Sequence, residues 1–93
     1  MKDYIFEWNL HKEELNKRKH GIGFETAIQV FFDPNVVHLE DENHSSEEER
    51  FFAVGKCFEG KVLTVRYTTR GNVIRIFGAA NWRKWRKFYE KNT

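Results

Sequence analysis

Three arginines and two histidines hold the chemistry this sequence can support. Arg66 and Arg75 fall on segments that read as neighbouring strands, with Arg70 at the tip between them. A guanidinium grips phosphate through two N–H groups at once and keeps its proton. A sheet face that combines arginines with aromatic side chains is a platform for RNA. The same arginines could instead solvate an exposed face or pair with Glu47–Glu49. Lys19-His20 stands at a predicted helix end, where an imidazole can move a proton near neutrality or simply cap the helix. Asp41-x-x-His44 places a carboxylate where it could orient a second imidazole, inside a segment polar enough to be a solvated loop. Further on, Arg83, Lys84, Arg86 and Lys87 surround Trp82, Trp85 and Tyr89.

The charge is segregated along the chain. Residues 50–93 carry eleven Lys or Arg and two Glu, a net +9. Glu40 to Glu49 carry six acids and no base, and residues 1–39 net −1, so the total of +2 conceals a strongly basic half. A basic half of this kind attracts polyanions. The acidic run could also imitate phosphate and lie over the basic face.

Ninety-three residues suit one domain, 1–93, with one modest core, and 16% aromatics let few residues bury much apolar area. A lone cysteine, Cys57, excludes an internal disulfide and suits a reducing cytoplasm. The histidines at 11, 20, 38 and 44 lack metal-ligand spacing, so no metal or other cofactor is expected. No apolar run is long enough for a membrane span. The opening MKDYIFEWN is too polar for a signal peptide.

The elements that must position these residues follow from local pattern. Tyr4–Trp8 reads as a short strand, and Asn9 as the cap of a mostly exposed helix over 10–19 closed by Gly21. Phe24, Ala27, Ile28, Phe31 and Phe32 predict an amphipathic helix ended by Asp33-Pro34. Val36-Val37 suggests a short strand, followed by an acidic loop. Strands are expected over 50–57, 61–68 and 73–78. A two-residue Gly71-Asn72 turn pairs Arg70 with Val73 and Thr68 with Arg75. Leu63, Val65, Tyr67, Ile74 and Ile76 then share one face, and Arg66, Thr68, Val73, Arg75 and Phe77 the other. Asn81 is the expected cap of a last helix over 82–91, whose aromatics dock it on the sheet.

The order of these pieces resembles the BrnT family, the toxin half of BrnT–BrnA toxin–antitoxin systems. The resemblance rests on Phe6-Glu7-Trp8-Asn9, then Asn16-x-x-Lys19-His20-Gly21-Ile22-x-Phe24-Glu25-x-Ala27 and Val30-Phe31-x-Asp33-Pro34. It continues through His44 with Glu48-Glu49-Arg50-Phe51, then Thr69-Arg70-Gly71, Ile74-Arg75-Ile76 and Tyr89-Glu90. It implies an α+β fold like that of RelE-type toxins: an antiparallel sheet of about four strands, with two N-terminal helices and one C-terminal helix. It also implies metal-independent cleavage of RNA that arrests translation, and neutralisation by a BrnA-like ribbon-helix-helix antitoxin. Operator DNA would be met only through that antitoxin. The chain departs from the family after the Ile-Arg-Ile strand. Many relatives look like Ser-Ala-Arg there, where this chain reads Gly78-Ala79-Ala80, and Arg86 stands about where they have a Glu.

In the nuclease that this resemblance implies, the RNA 2′-hydroxyl attacks the adjacent phosphorus. Arg75 is the first candidate to clamp the phosphate, with Arg70 or Arg66 next. His20 is the candidate acid or base beside Lys19, and Tyr89 could hold the scissile phosphate or a base. Arg83, Lys84, Arg86 and Lys87 would hold flanking phosphates, and Arg83 or Arg86 could replace the family's missing arginine. The alternative is a non-catalytic or weakened homologue that binds an antitoxin or nucleic acid through its basic face.

Overall fold

A computed structural model describes residues 3–93. Met1 and Lys2, which open the segment read above as unlike a signal peptide, lie outside the described residues. The chain runs β1 (Ile5–Trp8), α1 (Leu10–His20), α2 (Phe24–Ala27), a 3₁₀ segment (Ile28–Phe32), β2 (Val37–Glu40), a short 3₁₀ turn (Glu42–His44), β3 (Phe51–Lys56), β4 (Val62–Arg70), β5 (Val73–Ala80) and α3 (Arg83–Lys91). No helix is long and apolar enough to cross a membrane among the described residues.

The strands form one mixed sheet in the order β1-β5-β4-β3-β2. The expected α+β class stands, but the sheet has five strands rather than four, and it is not wholly antiparallel. Its edge strand β1 runs parallel to β5, with Glu7 opposite Arg75 and Trp8 opposite Ile76. That pairing satisfies the open backbone edge of β5. It also lets Tyr4 and Phe6 join Phe31 in an aromatic cluster, with ring centroids 5.3–5.9 Å apart. The β4–β5 hairpin has the register its turn dictates, Arg70 opposite Val73 and Thr68 opposite Arg75.

One sheet face is the main core. Leu63, Val65, Tyr67, Ile74 and Ile76 meet Phe24, Ala27, Val30 and Phe31 there. Each large side chain removed from water contributes about 1.5–3 kcal/mol. The predicted helix over 24–32 tightens into 3₁₀ turns after Ala27. Phe24, Ala27 and Val30, spaced by three, are accordingly the fully buried set, while Phe32 stays 53% exposed. The opposite face carries α3, which docks Tyr89 and Trp85 on Val54 and Val62. Trp82, not Asn81, occupies the position before α3, and no side chain caps that helix.

Helix α1 forms as its ends require. The Asn9 side chain accepts from Lys12 N, and Gly21 closes the helix at φ 71, a left-handed conformation glycine adopts without strain. The helix buries no residue and is held largely by polar contacts. The Asn16 amide donates to Ala79 O at 3.0 Å and accepts from Ala79 N at 3.1 Å, imitating a strand partner where β1 has already ended.

Candidate functional site

Lys12, Asn16, Lys19 and His20 lie at i, i+4, i+7 and i+8 on α1, so one face of the helix presents them together. Asn16 pins that face to β5. The opposing wall comes from Arg66 on β4, Phe77 on β5 and Arg50 just before β3, enclosing a cleft of about 290 Å³. Its lining holds four cations and no acid. A smaller adjoining cavity of about 130 Å³ shares Asn16, Lys19, His20 and Arg66 and adds Thr64, Ala79, Ala80 and Trp82.

Two local irregularities shape this wall. Arg66 pairs with Gly78, but Tyr67 pairs with Ile76, so Phe77 is an extra residue that bulges from β5. Its ring lies under Lys12 Nζ at 5.1 Å and Arg50 Cζ at 4.5 Å, which holds both cations at the cleft. Next to the bulge, Arg66 lies directly over Gly78. A Cβ at that position would stand 2.9 Å from Arg66 Nη2 and 3.4 Å from both Arg66 Nε and Asn16 Oδ1. Gly78 thus lets the guanidinium cross β5 toward α1.

Among the described residues, no carboxylate lies within ion-pair reach of Arg66. Its charge instead acts on His20. Burial pushes the His20 pKa down, and the charges of Lys19 and Arg66 push it further below the ordinary 6.5. The imidazole is therefore neutral at pH 7 and able to accept a proton. Its ring meets the Trp82 ring edge-on, with centroids 6.0 Å apart.

The expected convergence of Arg66, Arg70 and Arg75 does not occur. Arg75 pairs with Glu7, its neighbour across the parallel β1–β5 ladder. Arg70 reaches Glu48 at 3.4 Å, the carboxylate that also faces Arg50. Tyr89 is buried and donates its hydroxyl to Asp33 Oδ2 at 2.5 Å, a tie between α3 and the turn before β2. Burial and the Asp33 carboxylate together raise the Tyr89 pKa to about 12. Arg83, Lys84, Arg86 and Lys87 are exposed on α3, and none of them lines the cleft. Lys19, His20 and Arg66 are brought together. Lys12, Asn16, Arg50, Thr64, Phe77 and Trp82 join them without having been singled out for this site. The helical spacing of Lys12 and Asn16 relative to Lys19 and His20 was the signal available for those two.

The acidic segment is more ordered than its polarity suggests. Asp41 is buried and lies 2.9 Å from His44 Nδ1. Ser45 Oγ donates to Asp41 O and accepts from Arg50 N, fastening the loop's two ends. Thr68 Oγ1 donates to Glu49 O at 2.6 Å. Glu48 engages Arg70 at 3.4 Å and the cleft residue Arg50 at 3.9 Å, while no residue of the acidic segment itself lines the Arg66 cleft. No group of three or more His, Cys, Asp or Glu side chains is placed to hold a metal ion among the described residues.

A family model described as the ribonuclease toxin BrnT of type II toxin–antitoxin systems matches residues 8–86. The fold is similar to the crystal structure of the Brucella abortus ribonuclease toxin BrnT, with a TM-score of 0.68 at 16% identity, covering 86% of this chain and 97% of that one. No curated protein sequence gives a significant match.

Proposed function

This chain belongs to the BrnT toxin family of type II toxin–antitoxin systems, and on that premise we propose that it is an endoribonuclease acting at the α1–β4–β5 cleft. The observation that carries the reading is Arg66: a guanidinium without a carboxylate partner among the described residues, set beside a histidine whose pKa is held below 6.5 in a cleft lined by cations. RNA supplies the nucleophile. His20 takes the proton from the 2′-hydroxyl as O2′ bonds to phosphorus. Arg66 holds the non-bridging oxygens as negative charge builds on them. The P–O5′ bond breaks, Lys19 donates a proton to O5′, and the products are a 2′,3′-cyclic phosphate and a 5′-hydroxyl. Lys12 and Arg50 hold flanking phosphates.

Charge stabilisation of this kind is worth about 10²–10³ in rate for one donor, and the proton transfer about 10²–10⁴. Arg66 thereby fills the part that the resemblance gives to the arginine missing at Ala80. The antitoxin that a toxin of this class requires would be a BrnA-like ribbon-helix-helix protein, and the site of action the cytoplasm.

Incubation of the purified protein with single-stranded RNA in excess chelator tests the reading. Cleavage is expected for the wild type and for Arg75→Ala, and loss for Arg66→Ala and His20→Ala. Activity that vanishes in chelator would transfer the chemistry to a metal. A wild type that binds RNA without cutting it would instead favour a binding module.

A further inference from the structure

Resting on the nuclease reading, we propose that Arg50 and Arg70 form a second phosphate subsite on the RNA path, next to the Arg66 cleft. Glu48 fills that subsite in the free protein as a carboxylate stand-in, and RNA displaces it. The geometry of this one carboxylate and the layout of β4 carry the inference.

The Glu48 carboxylate bridges two guanidinium groups. Its Oε1 faces Arg50 Nη2 at 3.9 Å, and its Oε2 faces Arg70 Nη2 at 3.4 Å. The two non-bridging oxygens of a phosphodiester can be shared between two guanidinium groups in the same way. Glu47 and Glu49 are exposed and pair with no cation among the described residues. Of the three consecutive glutamates only Glu48 is partly buried.

Neither contact is tight. A charge-assisted hydrogen bond spans about 2.7–2.9 Å, and both separations exceed that. The Arg70 side chain is 60% exposed. Ion pairs this open to water hold weakly and yield to a competing anion. A phosphate of an RNA strand already held at the Arg66 cleft competes at a high local concentration.

The subsite continues the cleft. Alternation along β4 sets Arg66, Thr68 and Arg70 on one sheet face, with the two arginines about 13 Å apart along the strand. Between them, Thr68 Oγ1 donates to Glu49 O at 2.6 Å, which fastens the chain where it enters Arg50. Arg50 then lines both the Arg66 cleft and the groove that holds Glu48 and Arg70. Its guanidinium rests on the Phe77 ring, with Cζ 4.5 Å from the centroid, so it keeps its place when Glu48 leaves. Arg66, Arg50 and Arg70 thus make one cationic track for the backbone of a single strand.

A 2′-O-methyl uridine octamer, which cannot be cleaved by 2′-hydroxyl attack, tests the subsite at one fixed ionic strength. Glu48→Gln should bind it about three- to tenfold more tightly than the wild type, because two exposed pairs are given up. Glu47→Gln and Glu49→Gln make the same charge change without touching either arginine, and should gain less than about twofold. Arg70→Ala should weaken binding and lower the slope of log K against log salt by about 0.7. In the double variant it should remove most of the Glu48→Gln gain. An equal gain in all three glutamine variants, no gain in Glu48→Gln, or a salt slope unchanged by Arg70→Ala overturns the proposal. Unmodified RNA separates the two readings. If the wild type fails to cleave it while the Arg70-dependent gain persists, the nuclease falls and the subsite stands. If cleavage proceeds with one KM in the wild type, Glu48→Gln and Arg70→Ala, the subsite falls and the nuclease stands.

Discussion

Gly78→Ala should disable the site without harming the fold. The added Cβ would lie 2.9 Å from Arg66 Nη2, closer than such contacts occur, and 3.4 Å from Nε. The one atom closer than 3.0 Å belongs to the end of a flexible side chain, and Asn16 Oδ1 at 3.4 Å stays at ordinary contact, so Arg66 moves and β5 does not. Gly78 has no left-handed backbone conformation, so alanine fits the strand and stabilises by about 0.4–1 kcal/mol through the unfolded chain. Displacing Arg66 breaks no ion pair, because it makes none among the described residues. Its loss from the phosphate is another matter. Misplacement by about 1 Å can cost ~10² in rate, so a hundredfold drop in single-turnover cleavage is expected beside an unchanged or raised Tm. Arg66→Ala should cost at least as much. The double variant should be no slower than Arg66→Ala, a coupling of about 2.7 kcal/mol at 1.36 kcal/mol per tenfold. End-labelled RNA in excess chelator gives the rates and thermal unfolding the stability. Wild-type cleavage by Gly78→Ala, or full additivity with Arg66→Ala, would refute the reasoning.

Other outcomes follow from the same contacts. Arg75→Ala removes a partly exposed pair with Glu7 and should cost no more than about 1 kcal/mol, with cleavage unchanged; a large rate loss at intact Tm would return Arg75 to the site. Tyr89→Phe deletes a buried hydrogen bond to Asp33 and should lower stability by about 1.5–3 kcal/mol in a denaturant titration, again with cleavage retained. Burial raises the Asp33 pKa, but hydrogen bonds from the Tyr89 hydroxyl and the Lys56 and Asn35 amides outweigh it and hold it below 3.8. Stability from Asp33 is therefore present above pH 3.8 and lost as pH falls through its folded value, a slope that Tyr89→Phe should flatten. His20 is likewise held below 6.5, so cleavage should rise with pH along a limb centred below 6.5. Lys19→Ala should slow cleavage by removing the proposed acid and move the limb of the residual activity upward by removing a positive neighbour; a residual limb that does not move would remove His20 as the base.

The sequence by itself determined what near neighbours decide. Asn9 and Gly21 bound α1, the Gly71-Asn72 turn set the hairpin register, and alternation sorted Leu63, Val65, Tyr67, Ile74 and Ile76 onto the core face. Each rests on contacts a few residues apart, where backbone sterics and spacing leave few choices. The segregated charge and the Lys19-His20 pair were equally legible. Which arginine is free was settled only by the tertiary structure. Arg75 looked like the better clamp until β1 paired with β5 in parallel and set Glu7 opposite it. Arg66 ranked behind it with Arg70 until a bulge at Phe77 and a bare Cα at Gly78 let it cross the strand. These outcomes join segments more than ten, and in the case of β1 more than sixty, residues apart. Packing of the whole sheet selects them, and no local rule of side-chain spacing contains that information.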